Sequence, residues 1–383
     1  MGLRRFTATA GPLILLLAVA AAAAASGWSR QHTPSPPAAQ ASYLNGVSCT
    51  TVCTAVGSSQ PGATRTVTLV ERRHSSKWSV QPSPNRSGRH RSELLGVSCP
   101  FPSACVAVGY YGDTRRTPLV ERFNGKRWLV ARKPSTRAGG GYLEAVSCTS
   151  ARACTAVGAA SRSGTAHARL LAERFNGKRW SVQRPPRPGN AKSGYLTGVW
   201  CTWPTICTAV GYYERAKGRV PPLAERWNGK RWLVQHVPLP GGASEGHLLG
   251  VSCPSNGSCT AVGYIRTGTG AYAALAERLS GQKWSLQRPS RPSGAQNSYL
   301  QGVSCTSRIA CSAVGYYQNP AGATAALAER WNGKRWIVQA TTKPGADSRL
   351  YGVSCPSSSE CTAAGLYQKG TQRELTLAEH WSS

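Results

Sequence analysis

The chain is poor in acids, with 15 Asp+Glu against 46 Lys+Arg, and only two of the acids, Asp113 and Asp347, are aspartates. So short a supply of carboxylates leaves little for carboxylate-driven catalysis or for binding hard cations. Histidine is scarce too: seven residues (His32, His74, His90, His167, His236, His247, His380) fall mainly in loops and outer turns without the spacing of metal ligands. Beyond the N-terminus no apolar run approaches membrane-spanning length, and no stretch keeps a helical period over three turns. A Gly-rich phosphate loop and a nucleophile motif are likewise missing. What remains is 383 residues with 40% hydrophobic composition, 12 Trp, 14 Tyr and a net charge of +31. That is enough apolar mass for a core, so a wholly disordered basic chain is excluded.

Met1 to Ala25 carries Arg4 and Arg5, an apolar stretch from Leu13 and an alanine run before Ser26, the layout of a secretory signal peptide over residues 1–25. An uncleaved anchor is the alternative reading, but the apolar run from Ala10 to Ala25 is 16 residues, short of the ~18–20 that cross a bilayer comfortably. The mature chain, residues 26–383, is expected to be secreted or wall-associated, monomeric and without stable membrane insertion.

The 14 cysteines fall in seven pairs: Cys49/Cys53, Cys99/Cys105, Cys148/Cys154, Cys201/Cys207, Cys253/Cys259, Cys305/Cys311 and Cys355/Cys361. First members are 50, 49, 53, 52, 52 and 50 residues apart, a period that belongs to propellers and not to helical solenoids. Each unit reads as four short strands, as in Leu196 to Cys201, Cys207 to Tyr213, Leu223 to Trp227 and Lys230 to Gln235. Asn-Gly at 124–125, 176–177, 228–229 and 332–333 predicts type I′ hairpins between strands three and four, with His74-Ser75 and Ser280-Gly281 in their place in two units. The last unit stops at Ser383 without a fourth strand, while Gly27-Trp28-Ser29-Arg30-Gln31 reads like a fourth strand without the other three. The expected fold is therefore all-β: a seven-bladed β-propeller of four-stranded antiparallel blades, closed by the N-terminal strand completing the last blade. Repeats are placed near 43–91, 92–141, 142–194, 195–246, 247–298, 299–348 and 349–383 plus 27–31.

A strand ending in Val-Gly-Tyr, a Glu-Arg-aromatic strand, a tight turn and a Trp-bearing strand followed by Pro together resemble a kelch-type propeller repeat and the secreted propeller repeats of high-GC Gram-positive bacteria. The likeness covers the mature chain, with two departures. Gly109, Gly211, Gly263 and Gly315 are each followed by Tyr where kelch units carry a second glycine, and Glu stands where kelch repeats usually have Tyr. The resemblance implies a fold and not an activity.

Even-numbered and paired within each unit of an exported chain, the cysteines read as seven intrablade disulfides, with zinc as the competing reading. Trp28, Trp78, Trp128, Trp180, Trp232, Trp284 and Trp336 suit packing between blades or a stacking surface for sugars or bases. The repeated Glu, seven residues before the Trp in six units, suits a structural ion pair or a catalytic ring. Loops joining strands two to three, and blade to blade, form the top face, with 25 of the mature chain's cations; the bottom turns hold 12 and strand three the other seven. Tyrosines accompany the top cations, some ending strand two and others, Tyr43, Tyr142, Tyr195 and Tyr299, preceding strand one. The candidate ligand-binding residues are Tyr110, Tyr111, Arg115, Arg116, Tyr212, Tyr213, Arg215, Lys217, Tyr264, Tyr316 and Tyr317. Aromatic faces among cations suit an anionic polymer, and solvated charge with rim packing is the plainer alternative. The leading expectation is a noncatalytic exported propeller that binds acidic glycan, teichoic acid or nucleic acid, with no cofactor and no metal. A protein-binding scaffold and a glycan-active enzyme are the alternatives.

Overall fold

The computed structural model describes Gly2 and residues 27–62, 65–85, 91–131, 140–161, 167–370 and 373–383. Apart from Gly2 the expected signal peptide lies outside these residues, as do Arg86, Arg89, Arg132, Lys133 and Arg137 of the top-face cations.

The regular structure of the described residues is all β-strand apart from a short 3-10 turn at Ala216–Gly218. Each repeat is an antiparallel meander of four strands, for example Ala191–Trp203, Ile206–Arg215, Pro222–Trp227 and Trp232–Gln235. First strands are innermost and surround one axial channel of about 260 Å³, lined by seven triplets centred on Gly46, Gly96, Ala145, Gly198, Gly250, Gly302 and Gly352. Leucines such as Leu44, Leu196, Leu248 and Leu377 are fully buried where the sheets stack.

Five repeats form separate four-stranded sheets, and the remaining eight strands form one hydrogen-bonded sheet. The expectation of seven separate blades is corrected in that respect. The junction is a single parallel pair, Ala41 with Glu374, where the start of one repeat's first strand lies against the start of its neighbour's third. Val220 and Glu245 make an isolated bridge of the same kind between two other repeats.

Trp28–Gln31 pairs antiparallel with Arg373–Ser382, matching Trp28 to Trp381 and Gln31 to Ala378. The N-terminus thus covers the edge that the truncated last repeat would otherwise leave open.

Two sequence patterns account for how closely the inner strands approach. A Cβ on Gly57, Gly109, Gly211, Gly263 or Gly315 would sit 1.8–1.9 Å from a carbonyl oxygen of the neighbouring strand, so the glycine that follows the second-strand valine admits no side chain. Each Val-Ser-Cys segment ties one repeat to the next: Cys99 N–H donates to Ser48 Oγ, Cys148 to Ser98, Cys201 to Ser147, Cys305 to Ser252, Cys355 to Ser304 and Cys49 to Ser354, all within 3.0 Å. Trp200 replaces the serine in the fourth repeat, the one point where this ring is interrupted.

All seven disulfides form with the expected pairing: Cys49–Cys53, Cys99–Cys105, Cys148–Cys154, Cys201–Cys207, Cys253–Cys259, Cys305–Cys311 and Cys355–Cys361. Each crosses one hairpin with Cα atoms 4.0–4.1 Å apart. The second cysteines are not accessible site residues. Cys53, Cys105, Cys154, Cys207, Cys259, Cys311 and Cys361 are only 1–3% exposed and pack in the blade cores, so the bridges are structural and no ligand reaches them. Several sulfurs also meet a hydroxyl of the adjacent repeat, Cys53 with Thr362, Cys105 with Thr54, Cys259 with Thr208 and Cys311 with Thr260, at 3.6–3.8 Å. No free cysteine is left among the described residues, which removes the thiolates that the zinc reading required. Seven such bridges fit an oxidising, extracellular compartment. No helix among the described residues is long and apolar enough to cross a membrane.

The Asn-Gly turns differ from expectation. Only the glycines have positive φ, 92° at Gly125 and 93° at Gly229. The loop is Asn-Gly-Lys-Arg, closed by Phe123 opposite Trp128, and Asn124 Oδ1 accepts from the N–H groups of Lys126 and Arg127. The asparagine side chain organises a four-residue loop, so its own backbone need not enter the left-handed region that a type I′ turn requires. In the first and fifth repeats His74 pairs Lys77 and Ser280 pairs Lys283, leaving the two-residue turns Ser75-Ser76 and Gly281-Gln282.

Candidate functional site

The repeated strand-three motif separates by parity. Glu71, Glu121, Glu173, Glu225, Glu277, Glu329 and Glu379 are at most 1% exposed and turn to one face of their sheets, and the arginine that follows most of them turns to the other. For Glu71, Glu121, Glu225, Glu277, Glu329 and Glu379 the expected ion pairs do not form among the described residues. The arginines staple each blade to the next instead. Arg72 Nη2 donates to the Pro102 carbonyl, Arg278 to that of Arg308 and Arg330 to that of Ser358, while the guanidinium groups stack over Phe123, Trp331 and Trp381.

Neutral donors serve some of the carboxyls. Ser83 donates to Glu121, Ser290 N–H to Glu329, and Thr342 to Glu379. Ser290 and Thr342 stand six residues past a strand-four Trp. The repeats preceding Glu225 and Glu277 have Pro186 and Pro238 there, which lack N–H and hydroxyl, and neither oxygen of Glu225 or Glu277 has a partner among the described residues. Burial pushes Glu71, Glu121, Glu225 and Glu277 up to about 8 and Glu329 to about 7, and it raises Glu379 as well. These are buried packing groups whose burial favours the protonated form, so the catalytic-ring alternative loses its accessible carboxylates. The seven strand-four tryptophans are 2–7% exposed and likewise pack.

At the top end of the channel the chain builds a different surface. Strand alternation divides each Tyr-Tyr pair of the second strands. Tyr110, Tyr212 and Tyr316, with Tyr264, turn toward the axis. Tyr213 is buried in its blade core, and Tyr111 and Tyr317 pack against theirs. The inward set meets residues at the start of the first strands: Tyr195 stacks on Tyr212 at 4.9 Å, Tyr212 meets His247 at 4.2 Å, His247 stacks on Tyr264 at 4.6 Å, and Tyr264 touches Tyr299, which stacks on Tyr316 at 4.8 Å. Six aromatic rings thus run continuously across three repeats, all partly exposed.

Cations flank the array. Arg116 lies over Tyr110 at 4.4 Å and near Tyr142, and Arg349 lies over Tyr316 at 5.2 Å with a buried Nε that has no hydrogen-bond partner among the described residues. Arg215 turns back on its own repeat and donates to the Tyr213 hydroxyl; Arg115 and Lys217 are exposed in loops. The structure therefore brings Arg116, Tyr212, Tyr264 and Tyr316 to the channel mouth, with Tyr110 buried beneath Arg116 at 4% exposure. It leaves Arg115, Arg215 and Lys217 around the periphery.

Carboxylates join them there, a feature the sequence reading missed. Glu93 Oε2 accepts from the Tyr110 hydroxyl at 2.7 Å, and Glu245 pairs with His247 at 3.4 Å and Arg266 at 3.2 Å. Glu144 lines the channel with Asn45, Thr197, Gln301 and Tyr351. Desolvation, reinforced by Glu93, pushes Glu144 up to about 7. Burial raises Tyr110, Tyr264 and Tyr299 to about 12, so the rim tyrosines are neutral hydrogen-bonding groups at physiological pH. The same desolvation lowers His247 against the pull of Glu245. These acids occupy unrelated positions in the repeat pattern, and only the common end of the strands signals that they converge. No cluster of metal-ligating side chains is present among the described residues.

Channel, stapled sheets and closing strand together define an all-β propeller. No family model matches the chain, so the kelch likeness stays one of pattern, and no curated protein matches it. Among solved structures it is similar to YCF48 bound to D1 peptide, at 13% identity over 93% of this chain and 97% of that one with a TM-score of 0.55. It is also similar to YCF48 from Cyanidioschyzon merolae, at 12% identity, 92% and 98% coverage and a TM-score of 0.55. Trypanosoma rangeli sialidase in complex with sialic acid matches at 12% identity with a TM-score of 0.51, over 93% of this chain but 59% of the sialidase. Identities this low show a shared fold alone.

Proposed function

We propose that the chain is an exported, noncatalytic propeller that binds anionic polymers of the cell envelope or its surroundings, with the top channel mouth as the binding face. In this reading residues 1–25 are removed on export, the mature protein is a monomer in or on the wall of a Gram-positive cell, and the eight-stranded sheet acts as two blades, seven in all. The observation that carries it is the continuous array from Tyr195 to Tyr316 with arginines at its edges, a surface that stacks rings while pairing charge.

A test compares Arg115→Ala/Arg116→Ala at the top with Lys230→Ala/Arg231→Ala in a bottom turn, titrated against a fluorescent polygalacturonate at low and physiological salt. Screened contacts of about 0.2–1 kcal/mol each make the top pair cost roughly three- to tenfold in affinity and flatten the salt dependence, with the bottom pair near neutral. Equal losses from both pairs would mean diffuse electrostatics and no defined face. A protein-binding scaffold is the second reading, favoured by Phe101, Trp203 and Ile309, which are 54%, 60% and 65% exposed on the bottom turns.

A further inference from the structure

The mouth carries a charge pattern that a simple polyanion site would not have. Of the eight acids outside strand-three repeat positions, Glu360 alone sits at a bottom turn. Asp113 and Asp347 accept backbone N–H groups of Arg91 and Thr324 and organise top loops. The other five stand among the rim tyrosines: Glu93 at Tyr110, Glu144 near Tyr142, Glu214 near Tyr195, Glu245 near Tyr264, and Glu374 at Tyr43. Arginines stand among these acids: Arg116 over Tyr110, Arg266 beside Glu245, and Arg349 on a first strand over Tyr316.

This arrangement discriminates between polyanions. A DNA strand has no hydroxyl along its backbone to donate to these carboxylates, so crossing the mouth would set its phosphates against them in a partly desolvated site. A polysaccharide of uronic acids presents flat apolar ring faces to tyrosines, hydroxyl donors to carboxylates, and one carboxylate per ring that can reach Arg266 or Arg349. Buried hydrogen-bonding groups built for hydroxyls reject ligands that lack them.

We infer that the ligand is an acidic glycan, its rings on the Tyr195–Tyr212–His247–Tyr264–Tyr299–Tyr316 array, its hydroxyls donating to Glu214, Glu245 and Glu144, and its carboxylates paired with Arg266 and Arg349. The assignment rests on the reading that a polymer binds this face, and it excludes DNA as the specific ligand.

The experiment titrates the full mature chain with a galacturonate oligosaccharide and with an oligothymidylate of equal charge, at physiological salt. The oligogalacturonate binds at least about tenfold more tightly. Tyr195→Ala/Tyr299→Ala costs roughly tenfold for the glycan. Glu214→Gln/Glu245→Gln moves the two probes in opposite directions, weakening the glycan and strengthening the oligonucleotide, a reversal that misfolding would not produce. If the oligonucleotide binds as tightly as the glycan, or the Glu variants move both probes in the same sense, the glycan assignment is overturned while the top-face reading stands. If the Arg115/Arg116 and Lys230/Arg231 variants lose affinity equally, the top-face reading itself falls.

Discussion

A chain carrying Glu225→Gln and Glu277→Gln melts higher than the wild type at pH 8 and at the same temperature near pH 4. Both carboxyls are buried without a hydrogen-bond partner among the described residues, and burial pushes each up to about 8 from an ordinary value near 4.5. A carboxyl whose folded-state pKa is raised stabilises the fold fully below its unfolded pKa, and that contribution is lost as pH climbs through the folded value. A tenfold change in an acid's ionisation constant on folding corresponds to about 1.4 kcal/mol, so wild-type stability falls between about pH 4.5 and 8. Glu71, Glu121, Glu329 and Glu379 add to the decline in the same sense. His380, held low by burial and by Arg73, and His247, held low by burial, oppose it. Glutamine keeps the shape and cannot ionise, so scanning calorimetry across this range finds the double variant raised by about 5 °C or more at pH 8. A wild-type melting temperature independent of pH, with the variant lower at both ends, would contradict the account.

The second large effect concerns ring closure. Trp28 is 7% exposed, packs in a cluster with Cys361 and Trp381, and sits on the strand that pairs residues 378–381. Trp28→Ala removes a core indole, a loss of about 3–5 kcal/mol, and lowers the melting temperature by roughly 6–15 °C; His32→Ala, exposed just beyond the strand, leaves it unchanged. Equal behaviour of the two variants would mean that the N-terminal strand does not close the ring.

Much of this architecture was legible because the repeat writes it several times over. The cysteine period placed the disulfides, and the split between the unpaired strand at Trp28 and the truncated unit at Trp381 placed the closure. Parity along a strand also told which neighbours share a face. Applied to Glu-Arg, the same parity would have shown that adjacent residues cannot pair with each other across one interface; the abundance of cations elsewhere obscured it. The Asn-Gly signal marked every turn of its kind, but loop length depended on the asparagine side chain, which serves two N–H groups and holds Lys126 and Arg127 in the loop.

The mouth was half legible. Tyr110, Tyr212, Tyr264 and Tyr316 recur at one repeat position, and Tyr43, Tyr142, Tyr195 and Tyr299 at the position opposite, so both sets drew attention, whereas Glu93, His247 and Arg349 fill that second position in the other three units and did not. A repeat-based reading is blind to residues that matter through their variation. The bulge that follows this position, between Leu196 and Gly198 or Leu248 and Gly250, resets the strand register and turns the next side chains into the channel.

Hydroxyl-radical footprinting with and without a saturating acidic polymer tests the location of the site most directly, because the chain carries its own control. Tyr195, Tyr299 and Tyr316 lie at the mouth, while Trp203, 60% exposed, lies on the opposite face. The account predicts protection of the three tyrosines with Trp203 oxidised as before; protection of Trp203 with the tyrosines unchanged would contradict it.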